Sequence, residues 1–96
     1  MSSDETVHTV AGNDFVINLE SNPTTGYKWM PNYDPFYLQQ ISDEFTPETS
    51  LMGSGGIQRL SFHALQSGDT EIEMMYKRPW EKKPQRSKKF TISISS

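Results

Sequence analysis

Short runs in which apolar and polar residues alternate make up most of this chain. Phe15, Ile17 and Leu19 alternate with Val16, Asn18 and Glu20, and Leu60, Phe62 and Ala64 with Arg59, Ser61 and His63. Farther on, Ile72, Met74 and Tyr76 alternate with Glu71, Glu73, Met75 and Lys77, and Phe90, Ile92 and Ile94 with Thr91, Ser93 and Ser95. Tyr27 and Trp29 share one face of another such run, with Lys28 and Met30 on the opposite face. Successive side chains of a strand point to opposite faces, so a period of two buries one face of a sheet and wets the other. That pattern belongs to antiparallel sheets. No segment sustains the 3.6-residue period of a helix, and no internal repeat is present. The spacing of the runs is that of an all-β sandwich.

Some stretches are less regular. Residues 6–10 read as a first strand, but Val7 and Val10 are out of phase, as at a bulge or a sheet edge. Residues 31–40 carry Pro31 and Pro35 and are expected to form a turn or a single helical turn. Residues 43–48 then supply a short strand around Phe45, closed by Pro47. Trp29 and Tyr76 fall on inward faces, where their large rings bury most area and their polar tips need partners. A Trp on that strand is where immunoglobulin-like domains bury one. The fold expected is therefore an immunoglobulin-like antiparallel β-sandwich of about seven to eight strands.

With 96 residues there is room for one small domain, 1–96, whose first five residues are expected to be disordered. The absence of cysteine removes thiol catalysis, thiolate metal ligands and disulfides, so stability must come from packing. No apolar run approaches the ~20 residues of a membrane span. The start, Met1-Ser-Ser-Asp-Glu-Thr6, has neither the basic nor the apolar region of a signal peptide. That fits a cytoplasmic chain if Met1 is the native start, and an endolysosomal or secretory one if a leader was removed.

Charge changes the picture only locally. Net charge is −3, yet the stretch 77–89 holds seven of the nine basic residues and one acid, Glu81. Such asymmetry points to an acidic partner surface or a nucleic acid, or to a solvated hairpin loop.

Catalysis finds no support. His8 and His63 lie on different strands and both on wet faces, and no nucleophile–base spacing or catalytic motif is present. The twelve acids show no calcium-loop pattern, and neither a metal nor a cofactor is implied. What remains distinctive lies in three connections. Asn22, Pro23, Thr24, Thr25, Gly26 and Tyr27 read as a tight turn, with Pro fixing φ, Gly permitting φ > 0 and two threonines at the apex. Leu51 and Met52 precede Gly53, Ser54, Gly55 and Gly56, a loop tip with two apolar side chains beside bare backbone. No Lys-Ser or Lys-Thr follows those glycines, so they are not a phosphate cradle. Arg78, Pro79 and Trp80 follow a strand end among charged residues, and exposed Trp and Arg are the types most enriched at binding hot spots. In an immunoglobulin-like sandwich these are the B–C, D–E and F–G connections, which share one end. Three contact-competent loops on one rim describe a binder.

At these residues the chain resembles the chagasin family, inhibitors of papain-like cysteine peptidases. The family motifs Asn-Pro-Thr-Thr-Gly-aromatic, Gly-x-Gly-Gly and Arg-Pro-Trp are matched in order by residues 22–27, 53–56 and 78–80. The resemblance implies an immunoglobulin-like sandwich that blocks a peptidase cleft with the three loops. It implies that Thr24 and Thr25 sit over the catalytic Cys–His pair and that Gly26 turns the chain away. Gly53, Ser54, Gly55 and Gly56 would run beside the unprimed groove, with Met52 or Leu51 toward an apolar S2 pocket. Trp80 and Arg78 would pack on the primed side.

The expectation is thus a reversible, competitive, tight-binding inhibitor of papain-like (cathepsin-type) cysteine peptidases, acting one to one as a monomer. It is no enzyme and needs no cofactor, nucleic acid or membrane. The rival readings are a nucleic-acid-binding module that uses stretch 77–89 with Trp80 as a stacking platform, and an adhesion-type module of the same fold.

Overall fold

The computed structural model describes residues 5–48 and 55–96. In chain order its strands are β1 (Glu5–Val10), β2 (Asp14–Ser21), β3 (Lys28–Tyr33), β4 (Leu38–Pro47), β5 (Gly56–Ala64), β6 (Gly68–Lys77) and β7 (Arg86–Ser95). They form a four-stranded sheet in the order β1-β7-β6-β3 and a three-stranded sheet in the order β2-β5-β4. This is the expected immunoglobulin-like sandwich. Of residues 1–5, expected to lack order, 1–4 lie outside the described ones, while Glu5 already pairs with Phe90 in β1.

The inward phase of each run makes the core. Ile17 and Leu19 from β2, Leu38 from β4 and Leu60, Phe62 and Ala64 from β5 meet Trp29, Ile72, Met74, Tyr76, Phe90, Ile92 and Ile94 from the other sheet. Phe62 is fully buried, with Phe15 stacked on it at 5.6 Å and the edge of Tyr33 at 5.4 Å. Burying rings on both inner faces is how a chain of modest hydrophobic content builds a core.

One pair departs from the antiparallel rule. β1 runs parallel to β7, from Glu5↔Phe90 to Val10↔Ser95. The turn after Val10 carries the chain across to β2 in the other sheet, so β1 and β7 need no hairpin between them. The out-of-phase Val7 and Val10 sit on this edge strand, where only one neighbour constrains the phase.

The region 31–47 differs most from the expectation. β3 continues through Pro31 and Asn32 to Tyr33. It is the edge of its sheet, and there a missing N–H need not cost a ladder bond. The expected turn is compressed into residues 34–38: the Asp34 carboxylate accepts from Phe36 N (2.9 Å), and its carbonyl accepts from Tyr37 N and Leu38 N (both 3.1 Å). β4 then begins at the fully buried Leu38 and runs for ten residues, much longer than the short strand expected around Phe45. A bulge between Gln40 and Ser42 leaves Ile41 exposed, and this slip breaks the period-two signal.

Candidate functional site

The ends of β2, β4 and β6 and the starts of β3, β5 and β7 lie together. Ser21 and Pro47 both pair with Gly56, Lys28 with Lys77, and Tyr76 with Arg86. The connections 22–27, 48–55 and 78–85 therefore leave from one end of the sandwich. Leu51, Met52, Gly53 and Ser54 lie outside the described residues.

The first connection folds by its own side chains. Asn22 caps a 3-10 turn, Pro23–Thr25, with Pro23 at its start and Gly26 in the left-handed region at φ 86°. The Asn22 carboxamide oxygen accepts from the Thr24 amide at 3.2 Å and from its hydroxyl at 2.5 Å. The Asn22 carbonyl accepts from the Thr25 amide at 3.3 Å and from its hydroxyl at 2.8 Å. Gly26 N closes the turn onto Pro23 O at 3.0 Å. Threonines at a loop apex could offer hydroxyl protons and amides to a partner. Both hydroxyl protons and both amides instead turn back onto Asn22, so the two exposed hydroxyls offer lone pairs and act outward as acceptors.

The last connection is braced by the single acid of its basic stretch. Glu81 N donates to Arg78 O, the Glu81 carboxylate accepts from Arg78 N (both 3.0 Å), and Lys77 Nζ donates to Glu81 O at 2.9 Å. Pro79 and Trp80 occupy the corner of that turn, and Trp80 is 73% exposed.

Arg78 joins the two connections. Its guanidinium lies 4.6 Å from the Tyr27 ring centroid and 5.9 Å from that of Trp80, and its Nε donates to Thr25 O at 3.3 Å. It is half-buried between the two connections. Below it the rings continue inward: Tyr27 stacks on Tyr76 at 5.3 Å, and Tyr76 meets Trp29 at 4.9 Å. Arg86 covers this column, 5.0 Å from Tyr76 and 5.8 Å from Trp29. The Tyr76 hydroxyl accepts from Asn22 N at 3.3 Å, tying the first turn to the core. The expected buried ring with a satisfied hydroxyl is what Tyr76 provides.

The middle connection is described only at its foot. A side-chain carbon on Gly55 would lie 3.2 Å from Ser21 O, and one on Gly56 would fall 2.7 Å from Pro47 Cα and closer still to Thr46 O. Gly56 is buried and paired on both sides, with Ser21 and Pro47, so the bare backbone expected there for a partner is taken up within the sheet. Its missing side chain serves the close approach of β4.

Sequence reasoning missed Gln58. It sits in β5 on the inward phase of Leu60 and Phe62 and is 3% exposed. Its Oε1 accepts from Trp29 N at 3.0 Å, and its Nε2 donates to Trp29 O and to Asp43 Oδ1, both at 2.9 Å. Gln58 thus reaches from one sheet to the backbone of the other, and Trp29 Nε1 donates to Glu20 O at 2.8 Å to complete the clamp. A polar residue on an apolar phase was the available signal.

His63 pairs with Asp14 at the far end of β2, His8 is exposed on β1, and no group of three metal-ligating side chains occurs among the described residues. The rim offers acceptors on a stiff turn, an exposed indole and basic groups.

Comparison with known proteins agrees in kind. Residues 8–94 match the chagasin family of peptidase inhibitors, I42. Over 93 residues the chain is 36% identical to amoebiasin-2 of Entamoeba histolytica, covering 93% of this chain and 75% of that one. It is 31% identical over 97 residues to chagasin of Trypanosoma cruzi, covering 92% and 86%. Its fold is similar to the crystal structure of the cysteine protease inhibitor EhICP2 from Entamoeba histolytica, at 30% identity and TM-score 0.82, over 96% of this chain and 87% of the other.

Proposed function

Because this chain belongs to the chagasin family, a family of peptidase inhibitors and not of enzymes, we propose that it is a reversible, competitive, tight-binding inhibitor of papain-like cysteine peptidases. It acts one to one, as a monomer, by lodging its loops in the active-site cleft. The observation that carries this reading is the joining of the Thr24–Thr25 turn to the Trp80 turn through Arg78. Two loops held in fixed relation can enter a cleft with little ordering cost, which is the physical route to tight binding by a small domain.

In the bound state the turn covers the Cys–His pair. The Thr24 and Thr25 oxygens, their own protons already turned onto Asn22, accept from donors such as the catalytic imidazolium. Gly26, at φ 86°, redirects the chain before it crosses the cleft as a strand. Trp80 seats on the primed side as the apolar anchor. Leu51, Met52, Gly53, Ser54 and Gly55 take the unprimed side. The interface is expected to bury roughly the standard ~1,600 Å².

The test is a titration of papain with the protein, following hydrolysis of a fluorogenic peptide. A linear fall to zero at one equivalent is expected, with serine and metallo-peptidases unaffected. Undiminished turnover at micromolar protein would overturn the proposal.

A further inference from the structure

The basic stretch 77–89 divides into groups held within the molecule and groups that are not. Lys77 bonds to Glu81 O, and Arg78 and Arg86 lie over aromatic rings. Lys88 and Lys89 lie 3.9 and 3.8 Å from the carboxylates of Glu5 and Glu71. Lys82 and Lys83 are exposed and have no such partner among the described residues. Their place is fixed at both ends. Glu81 is bonded into the Trp80 turn on one side, and Gln85 N donates to Tyr76 O at 2.8 Å on the other.

We propose that Lys82 and Lys83 form an electrostatic selector beside the Trp80 anchor, favouring papain-like peptidases that carry acidic groups next to the primed side of the cleft. This rests on the peptidase-inhibitor reading above. At 3.8 Å per residue, the Cα atoms of Lys82 and Lys83 lie within about 8 and 12 Å of that of Trp80. The screening length is about 8 Å at physiological salt and longer at low salt, so Lys82 acts on the surface that Trp80 meets and Lys83 adds to it as salt falls. Glu20 and Glu48 stand at the feet of the other two connections, and Lys28 beside them is paired with Asp43 at 3.2 Å, so the unpaired lysines of the rim among the described residues lie on the Trp80 side. The remainder of the chain is acidic. The molecule therefore approaches an acidic surface with this side leading, before any short-range contact forms. Rim charges of this kind act on association rate and on its salt dependence more than on dissociation.

The experiment measures association and dissociation rates of the wild type and of the double variant K82E/K83E against two papain-like peptidases, one of net negative and one of net positive charge. Ionic strength is varied from low to high. Toward the negative peptidase, the reversal is expected to slow association about tenfold at low salt, with the gap closing at high salt and dissociation changing less than twofold. Toward the positive peptidase, the sign should invert. Equal association rates of the two proteins for the negative peptidase at every salt concentration would overturn the selector while leaving the inhibitor reading intact. Failure of the wild type to inhibit either peptidase would instead overturn both. A labelled single-stranded oligonucleotide is run in parallel. Salt-sensitive binding that the reversal abolishes, with inhibition rates unchanged, would assign the lysines to nucleic acid and end the proposal. Both positions are exposed and have no ion-pair or hydrogen-bond partner among the described residues, so thermal melting of the variant should match the wild type.

Discussion

The two tryptophans stand at opposite ends of one line of stacked groups and have opposite environments. Trp29 is 4% exposed, with its N–H, its backbone amide and its carbonyl all bonded to neighbouring strands. Trp80 is 73% exposed and touches the molecule chiefly through Arg78, whose guanidinium lies 5.9 Å from its ring. The same side chain is thus a structural member at one end and an offered surface at the other. The difference comes from the chain around each. Trp29 lies in phase on a paired strand, whereas Trp80 sits at a turn corner behind a proline that directs it away from the sheet. Between them, Tyr76, Tyr27 and Arg78 pass rigidity from core to rim.

The comparison breaks most readily at Trp29. Trp29→Ala removes the ring beneath Tyr76 and orphans the Glu20 carbonyl, and should cost about 3–5 kcal/mol of folding stability. Urea denaturation reads this directly. Trp80→Ala should leave the midpoint nearly unchanged. Melting results the other way round would mean that core and rim have been assigned in reverse.

The second effect, smaller in energy, is on binding alone. Trp80→Ala should weaken inhibition by about 2–4 kcal/mol, or about 30- to 1,000-fold, mainly through faster dissociation. An unchanged inhibition constant would show that the exposed indole is not the anchor.

Arg78 sharpens the line between the two regions. Lys keeps the charge but lacks the planar guanidinium that lies over Tyr27 and reaches Thr25 O. Arg78→Lys should therefore weaken inhibition by about 1 kcal/mol, with a cation–π contact of about 0.5–1 kcal/mol and one hydrogen bond of similar size at stake. Little stability should be lost, because the contact lies at the rim. Full affinity in the Lys variant would mean that Arg78 contributes only its charge and that the two loops are not held through it.

What the sequence revealed and what it hid follow from the same physics. Trp29, Tyr76 and the inward faces of β2, β5, β6 and β7 were legible because an uninterrupted period of two has one solution when one face is buried. The turn at Asn22 was legible because its residues carry their own geometry. β4 was not, since the bulge at Ile41 shifts the phase midway and Pro31 lies harmlessly on an edge. The inward aim of the threonine protons and of Arg78 was equally hidden. A motif names residue types, but only the fold decides whether a donor faces its own turn or a partner. Gln58 stood on an apolar phase and could have been questioned there.

The smallest expected effect is no change at all, and it concerns the turn that belongs to neither side of the comparison. Thr24 and Thr25 are exposed like Trp80 but tied down like Trp29. A peptide is cut when its scissile carbonyl is held about 3–3.5 Å from the thiolate in an aligned, extended pose. The 3-10 turn is not extended, and straightening it would break the bonds from Thr24 and Thr25 to Asn22 and from Gly26 N to Pro23 O. At about 0.5–1.5 kcal/mol each, these oppose straightening by several kcal/mol. Gly26, in the left-handed region at φ 86°, closes the segment with geometry that an extended substrate does not have. The protein should therefore be recovered intact after long incubation with excess active papain, as read by mass spectrometry. A clean cut between Thr24 and Gly26, advancing at the rate at which inhibition is lost, would make the turn a slow substrate. The tethers to Asn22 would then be too weak to set the rim apart from an ordinary exposed loop.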